Sequence, residues 1–410
     1  MRNFRFKKFN ITLLSLLLTI SLVACSGNKN TASSGASDSK GGFHELTKDD
    51  VQDISKDLGT AVYKDKTMAE GITGVTYDKI QLSDEDIAKI KAMNLKVAVE
   101  FGANGDTYKW MNAGIEEAAK KFGITIKDTW YATDQKTENQ LADYQKILPV
   151  TEKYDALFTL PMDAASQSRV LLQIQKKIPV AYMSTAPYGV DWKDKNFVGV
   201  ADVDAYKAGQ MTAKAAVKLL GKTDGSIGTV GFVNGHNGSL LTCQLRYNGW
   251  DNVLKNYPDI KVHKAWYSAP DDTAGVTRSL LSKNPDIKVL LVDWSNPAGN
   301  QALQVVKEMG YTKDDIRVIF IDLDDTTAVP MASEINGMAN ALVAQPWYNV
   351  GRDSVYQYVY KLLYPDKTPG FIASTPEPIA THFNIKSVYK KSVPSSYKIP
   401  KDITSLTDQW

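Results

Sequence analysis

Cysteine and histidine are scarce in this chain of 410 residues, which contains two cysteines and four histidines. The histidines are scattered, without the His-x-x-x-His or Cys/His spacing that would build a zinc site. The Gly-x-Ser-x-Gly motif that carries the nucleophile of many hydrolases is also missing. We therefore expect no metal and no cofactor, and we predict that the protein is not an enzyme.

Basic runs and long apolar segments are lacking as well. After residue 25, no apolar run is long enough to span a bilayer and no Lys/Arg run is dense enough to hold a polyanion. The net charge is +2 at pH 7, but Arg2, Arg5, Lys7 and Lys8 contribute +4, so the remainder is near −2. This balance argues against a nucleic-acid partner. With 43% apolar residues, the chain can form two cored lobes.

The first 25 residues have the pattern of a secretory leader. Four basic residues precede an apolar stretch, residues 11–23, which at about 1.5 Å per residue is too short to span roughly 30 Å of bilayer. Residues 22–25 (LVAC) resemble the bacterial lipobox, in which Cys25 receives a lipid such as palmitate and becomes the mature N-terminus. The alternative is a plain secretory leader with Cys25 incidental.

Residues 25–42 are expected to form a lipidated cysteine and a flexible tether, because 26–42 are almost entirely Ser, Gly, Ala, Thr and Asn. This places the body on the extracytoplasmic face of the cell membrane, held there by its lipid. Only Cys243 then remains, so no intramolecular disulfide can form. Its apolar neighbours predict that Cys243 is a small buried side chain.

Short apolar runs followed by amphipathic helices alternate from residue 95 onwards. In the first helix, Met111, Ile115, Ala118, Ala119 and Phe122 share one face, and Gly123 is expected to end it. The alternation predicts an α/β fold with parallel sheets, in two lobes. The predicted strands are 96–101, 156–160, 179–183, 228–233, 289–292 and 318–321.

Polar side chains and aromatic rings follow these strands, where open α/β sheets bind ligands. Carboxylates accept hydrogen bonds from hydroxyl groups, amides donate and accept, and aromatic faces cover C–H groups. The combination suits a neutral polyhydroxylated ligand. The candidate residues at strand ends are Asn104, Asp106, Tyr108, Asp163, Ser184, Trp294, Ser295, Asn296 and Asp322.

Five short segments carry a resemblance over about residues 95–390. They are 178–180 (IPV), 206–209 (YKAG), 284–286 (NPD), Asp322 and 345–346 (QP). In this order they resemble the type I periplasmic solute-binding proteins of sugar ABC importers, the ribose-binding group in particular. Residues 83–93 are similar to the lead-in of a subgroup of these proteins. The resemblance implies two Rossmann-like lobes joined by three crossings, near residues 202, 345 and 380.

The resemblance also assigns domains and ligand contacts. It implies a leader (1–24), a tether (25–42), an extension on or leading into the first lobe (43–94), an N-terminal lobe (95–201 and 346–379), a C-terminal lobe (202–345 and 380–392) and a surface tail (393–410). The strongest family contacts fall on Asp322 and Gln345. Gln244 stands where ribose-type proteins place a sugar-binding arginine, two positions before Arg246, which argues against ribose itself.

The function implied is capture of a small neutral sugar or polyol between the lobes and delivery to an ABC permease, by a monomer attached to the membrane. Two alternatives remain open. The same fold can hand its closed form to a membrane receptor or kinase, or the protein can be a lipid-anchored hydrolase, for which no nucleophile–base pair is found in the sequence.

Overall fold

The computed structural model describes residues 42–60, 74–132, 136–222, 224–407 and 409. All of them belong to one compact unit, residues 38–410. The leader, Cys25 and the tether up to residue 41 lie outside the described residues, so the lipid anchor stays a prediction. Within these ranges, no helix combines the length and apolarity needed to cross a membrane.

Twelve strands of the described chain form two six-stranded sheets. The strands are β1 (Lys96–Phe101), β2 (Thr125–Tyr131), β3 (Ala156–Leu160), β4 (Val180–Met183), β5 (Phe197–Val203), β6 (Gly225–Phe232), β7 (Ile260–Tyr267), β8 (Val289–Val292), β9 (Arg317–Ile321), β10 (Ala339–Val343), β11 (Phe371–Ser374) and β12 (Ala380–Thr381). The first sheet has the order β11-β5-β4-β3-β1-β2 and the second β12-β10-β9-β8-β6-β7. All pairs are parallel except β10 with β12. The predicted α/β fold with two lobes is confirmed.

Helices cover both faces of each sheet. They are α1 (Lys48–Ile54), α2 (Asp84–Ala92), α3 (Asp106–Phe122), α4 (Thr137–Ile147), α5 (Ser168–Gln175), α6 (Ala205–Leu220), α7 (Val233–His236), α8 (Leu241–Leu254), α9 (Thr273–Lys283), α10 (Asn300–Glu308), α11 (Asp325–Ser333), α12 (Trp347–Leu363), α13 (Ile385–Ser392) and α14 (Lys401–Thr404). The first lobe is the first sheet with α2–α5 and α12, and the second lobe is the second sheet with α1, α6–α11, α13 and α14. The chain passes between the lobes after β5, β10 and β11. These passages lie close to the predicted crossings, and the lobe boundaries themselves stay a prediction.

Helix α3 shows how sequence and packing agree. Its predicted apolar face is buried, and Gly123 ends it with a φ of 68°, in the left-handed region that favours glycine. Its backbone lies directly on that of α12, because a Cβ on Gly114 would come within 2.0 Å of the Tyr348 carbonyl oxygen. The close approach of α12 fixes the position of α3, whose N-terminus carries Asp106 and faces the second lobe.

The N-terminal extension packs on both lobes. Four of its apolar side chains join the core of the second lobe: Phe43, Leu46, Val51 and Ile54. Glu45 pairs with the buried Arg317 of that lobe at 2.7 Å. The extension, expected on or leading into the first lobe, thus begins on the second lobe. Its later part, α2, is capped by Ser83 and buries Ile90 in the first-lobe core. In the first part, α1 packs on α6, and His44 N donates to the Leu219 carbonyl oxygen at 3.0 Å.

A carboxyl group is buried in the first sheet. The Oε2 atom of Glu100 accepts hydrogen bonds from Gln140 Nε2 at 3.0 Å and from Thr159 Oγ1 at 2.7 Å, while its Oε1 atom has no partner among the described residues. Burial raises the pKa of Glu100 to about 8, although these two hydrogen bonds act in the opposite direction. The folded protein therefore holds Glu100 protonated at neutral pH.

We predict that Glu100→Gln stabilises the protein at alkaline pH. In the unfolded chain Glu100 ionises near 4.5, whereas in the folded chain it retains its proton to about 8. The free energy of unfolding should therefore fall by up to about 1.4 kcal/mol per pH unit between those values. Urea titrations at pH 5 and pH 9 should show a smaller decline for Glu100→Gln than for the unaltered chain.

The control for this measurement is Glu85→Gln, because the Glu85 side chain is 78% exposed. The free energy of unfolding of Glu85→Gln should decline with pH as much as that of the unaltered chain. An identical pH profile for Glu100→Gln and the unaltered chain would show that Glu100 does not titrate in this window.

Candidate ligand cleft

The carboxyl ends of the central strands of both sheets meet at a cavity between the lobes. Its empty volume is about 620 Å³, which includes its opening to solvent. Residues that follow β1, β3 and β4 form one wall, and residues that follow β6, β8 and β9 form the other. The lining residues are Thr107, Tyr108, Met111, Leu160, Met162, Ser184, Leu240, Thr242, Trp294, Ser295, Asn296, Asp322, Leu323, Asp324 and Trp347.

The wall supplied by the first lobe is uncharged. Tyr108 donates its hydroxyl to the Met162 sulfur at 3.5 Å, so the polar end of this tyrosine is already partnered. Met111 and Leu160 complete an apolar surface beside it. Trp347, the first residue of α12, lies between this surface and Asp322. Apart from Thr107 and Ser184, the first lobe thus offers rings and aliphatic groups, which cover C–H groups of a ligand.

The wall supplied by the second lobe carries the carboxylates. Asp322 and Asp324 lie on the turn between β9 and α11, and Asn296 Nδ2 donates to Asp324 Oδ2 at 3.1 Å. Ser295 Oγ donates to the Asp322 carbonyl oxygen at 2.5 Å. The two walls therefore differ in polarity, with hydrogen-bond acceptors concentrated on one of them.

Two lining residues have left-handed backbones at their strand ends. Ser184 follows β4 with a φ of 62°, and Asp322 follows β9 with a φ of 77°. For a residue with a Cβ this conformation costs on the order of 1–2 kcal/mol. The surrounding contacts hold both residues in these conformations, as is common at functional sites.

A completely buried arginine lies behind the second wall. Arg246 Nη2 donates to Asp322 Oδ2 at 3.0 Å and also to Gln345 Oε1, and Nη1 donates to the Asp293 carbonyl oxygen at 2.6 Å. Burial raises the pKa of Asp322, while the Arg246 guanidinium and the Trp347 indole N–H, which donates to Oδ1 at 2.8 Å, act in the opposite direction. Asp322 is thus held from both sides.

Asp202 connects the two lobes beneath the cavity. This first-lobe carboxylate accepts hydrogen bonds from Ser184 Oγ at 3.2 Å and from Thr242 Oγ1 of the second lobe at 2.8 Å. Burial raises the pKa of Asp202 to about 7, against the effect of the Thr242 hydroxyl. Ala164 N donates to the Ser239 carbonyl oxygen across the same boundary at 3.0 Å. The lobes are therefore in direct contact, and we refer to this arrangement as the closed form.

Six of the residues predicted from the sequence lie on the cavity wall, and whether they bind ligand stays a prediction. These six are Tyr108, Ser184, Trp294, Ser295, Asn296 and Asp322. Gln345 lies behind the wall, where it is buried against Arg246.

The other four predicted residues have different surroundings. Asn104 is exposed, and Asp163 accepts hydrogen bonds from the backbone of its own turn, at Ala165 N and Ser166 N. Asp106 contacts the C-terminal segment, at Tyr397. Gln244 is half-buried and is not among the lining residues of the described chain.

Gln244 and Arg246 lie on different sides of α8. Successive helical residues are about 100° apart, so two positions separate side chains by about 200°. Arg246 faces Asp322 behind the second wall, whereas the Gln244 amide lies beside Gly238 and outside the lining residues of the described chain. Arg246 lies two positions after the place where the ribose-binding group has its sugar-binding arginine. This proximity was the only sequence feature that pointed to Arg246. Most other residues that sequence reasoning missed are apolar: Met111, Leu160, Met162, Leu240, Leu323 and Trp347.

Comparisons with known proteins agree on the family. Residues 97–363 match the family described as "Periplasmic binding protein domain", which is more than half of the chain. A search of functionally curated proteins gives no match.

Solved structures of similar fold include three solute-binding proteins. A carbohydrate transporter protein from Agrobacterium radiobacter, in complex with D-arabinose, has a TM-score of 0.60 and 16% identity over 73% of this chain and 99% of its own. An ABC transporter protein from Agrobacterium vitis, bound with α-D-tagatopyranose, has a TM-score of 0.63 and 18% identity over 73% and 100%. A second A. vitis protein, with bound allitol, has a TM-score of 0.58 and 19% identity over 72% and 98%.

The family match, the two parallel sheets and the three passages between them are mutually consistent. This chain belongs to the periplasmic binding protein family and has its two-lobe, type I fold.

Proposed function

We propose that this protein captures a small neutral sugar or polyol between its lobes and delivers it to an ABC importer. The observation that carries the proposal is the cavity between the lobes, with Asp322 held by Arg246 and Trp347 at its second-lobe wall. D-arabinose, tagatopyranose and allitol in three proteins of the same fold support this class of ligand.

The charges around the cavity favour a neutral ligand. Asp322 is neutralised by Arg246, which lies behind the wall and does not line the cavity. Asp324 remains as a second acceptor, partly satisfied by Asn296. The Nε2 atom of Gln345, in the same buried cluster, has no acceptor among the described residues and is a spare donor. Hydroxyl groups can both donate to the carboxylates and accept from the amide.

The polarity of the two walls orients the ligand. Its hydroxyl groups would face Asp322, Asp324 and Asn296 of the second lobe, and its C–H groups would face the apolar wall of the first. Closure then removes water from these hydrogen bonds, so an analogue that lacks one hydroxyl leaves a buried acceptor unpaired. Release requires the lobes to rotate apart about the three passages after β5, β10 and β11.

A hydrolase is less well supported by the same site. No histidine, cysteine or lysine is among the cavity-lining residues of the described chain, so a base for a serine or threonine nucleophile is not found there. A binding role needs no such base.

We also propose that Cys25 carries the lipid that keeps the protein at the outer face of the membrane. The support is the leader pattern and the tether composition in the sequence. One acyl chain gives marginal attachment, whereas two or more hold a protein firmly. A tethered binding protein stays close to its importer, where capture is useful.

We predict that ligand raises the unfolding temperature of the full chain. Binding to the folded state alone stabilises it by about 2.7 kcal/mol at one hundred times the dissociation constant. The measurement is a thermal-shift panel with D-arabinose, D-tagatose, allitol and a wider set of pentoses, hexoses and polyols. Asp322→Asn should abolish any shift, because it removes an acceptor that faces the cavity. The matched control, Asp366→Asn, changes an exposed carboxylate and should keep the shift. Absence of a shift with every sugar and polyol would reject the proposal.

We predict that Arg246, and not Gln244, supports the site. Arg246→Met leaves the buried Asp322 carboxylate without its cation, which should lower the free energy of unfolding by about 3–5 kcal/mol and abolish ligand binding. Gln244→Ala should change stability by less than about 1 kcal/mol and leave the dissociation constant unchanged. Urea unfolding and calorimetry with the ligand from the panel measure both effects. A loss of binding in Gln244→Ala alone would reverse the assignment.

We predict that Cys25→Ser releases the protein from the membrane, because the acylation site is removed. Cell fractionation and labelling with radioactive palmitate should show an unlabelled, soluble extracytoplasmic protein. Cys243→Ala is the control: this cysteine is buried in the second lobe, so the variant should stay labelled and membrane-bound. Retention of Cys25→Ser in the membrane fraction would contradict the anchor.

A further inference from the structure

The C-terminal segment, residues 393–407, lies outside the matched family region and reaches across the boundary between the lobes. We propose that Tyr397 of this segment is a positioning residue for ligand capture, which stabilises the closed form by bridging Asp106 of the first lobe and Asp325 of the second. This inference rests on the proposed function only for its link to ligand affinity.

The segment itself belongs to the second lobe. Val393 and Ile403 are buried in the second-lobe core, and α14 packs on α11. Lys386 of α13 donates to the Leu406 carbonyl oxygen at 2.6 Å. The segment that carries Tyr397 is therefore fixed to the second lobe, and the Tyr397 side chain contacts the first lobe.

The hydroxyl of Tyr397 lies between two carboxylates. It is 3.2 Å from Asp106 Oδ2, at the start of α3, and 3.2 Å from Asp325 Oδ2, at the start of α11. We call these three side chains the Tyr397 bridge. Asp106 moves with the first lobe, while Tyr397 and Asp325 move with the second. Rotation of one lobe against the other therefore changes the distance from the hydroxyl to Asp106.

Aromatic contacts cross the same boundary. The ring of Tyr397 meets Trp110 of α3 edge-on, with centroids 5.1 Å apart, and stacks on Tyr389 of the second lobe at 6.3 Å. Trp110 is 3% exposed and packs with the second-lobe core, although its helix belongs to the first lobe. Separation of the lobes would expose this indole to water.

Charge repulsion explains why a hydroxyl is needed at this position. Without Tyr397, Asp106 and Asp325 would approach each other across the boundary, with Asp324 nearby and Lys109 at 3.5 Å from Asp106 as a partly compensating cation. Burial and the neighbouring Asp324 and Asp106 raise the pKa of Asp325, whereas the hydroxyls of Tyr389 and Tyr397 lower it. The phenol proton shared by the two carboxylates reduces their repulsion in the closed form.

The bridge explains the position of Asp106. The sequence predicts this residue as a ligand contact at the end of the first strand, yet it is not among the lining residues of the described chain. In the Tyr397 bridge it contributes to closure in place of direct ligand contact.

The test is Tyr397→Phe in the full chain, with two readouts. The first needs no ligand: the ¹⁹F NMR signal of Trp110 in protein labelled with 5-fluorotryptophan, assigned by its loss in Trp110→Phe. We expect this signal to move towards its solvent-exposed position in Tyr397→Phe. The second is the dissociation constant for whichever of D-arabinose, D-tagatose and allitol binds, which we expect to rise about five- to ten-fold, as for one hydrogen bond lost.

The matched control is Tyr364→Phe. Tyr364 also donates to a carboxylate, Asp86 Oδ1 at 3.0 Å, but both residues lie in the first lobe. Neither readout should change in this variant. A double-mutant cycle with Asp106→Asn completes the test. The changes in the Trp110 signal and in the dissociation constant caused by Tyr397→Phe should be smaller when residue 106 is already neutral.

Each outcome has a defined meaning. An unchanged Trp110 signal in Tyr397→Phe, or additive effects in the cycle, would overturn the bridge whatever the ligand is. A moved signal with an unchanged dissociation constant would overturn its role in capture. A moved signal with no sugar or polyol bound supports the bridge while the proposed function fails.

Discussion

The ion pair between Arg246 and Asp322 is the interaction on which the cleft depends. A buried guanidinium requires carboxylate or carbonyl oxygens as partners, and here Asp322, Gln345 and the Asp293 carbonyl oxygen accept hydrogen bonds from its two Nη atoms. Two of these partners follow strands β8 and β9 of the second lobe, and Gln345 lies in the passage from β10 into α12. Neutralising one buried cation thus fixes the relative positions of the second-lobe wall and one of the crossings between the lobes.

Contacts between the lobes are polar at the cavity and apolar beside it. Thr242 reaches Asp202, and Leu241 and Leu245, one or a few positions away on α8, pack with the first-lobe core. Hydrogen bonds of this kind can be exchanged for water on opening at small net cost, whereas the apolar contacts favour closure. Opening the lobes would thus cost mainly the apolar contacts.

The sequence predicted the parts of this molecule that are encoded by unbroken patterns. The bounds predicted for β1, β3 and β8 are correct, because each is a short run dominated by apolar residues. The edge strands β2 and β7 are not predicted, because most of their residues are exposed or half-buried and polar residues interrupt the apolar ones.

The same distinction applies to the site. Polar residues at strand ends, such as Asp322 and Ser295, could be predicted because a carboxylate or hydroxyl after an apolar strand is conspicuous. Met111 and Trp347 could not, since an apolar residue that lines a cavity has the same sequence signal as one in a core. Arg246 and Tyr397 depend on partners 76 and 291 residues away in the chain.

Residues 43–54 dock on the second lobe, and this contact determines which lobe the proposed tether would be attached to. The chain enters the folded body at Phe43, whose ring lies against the Arg317 guanidinium of that lobe. The proposed tether, which would precede this point, would therefore be attached to the second lobe. With the proposed anchor, the carboxylate-bearing wall would belong to the lobe attached to the tether, and opening and closing would be movements of the apolar wall relative to that lobe.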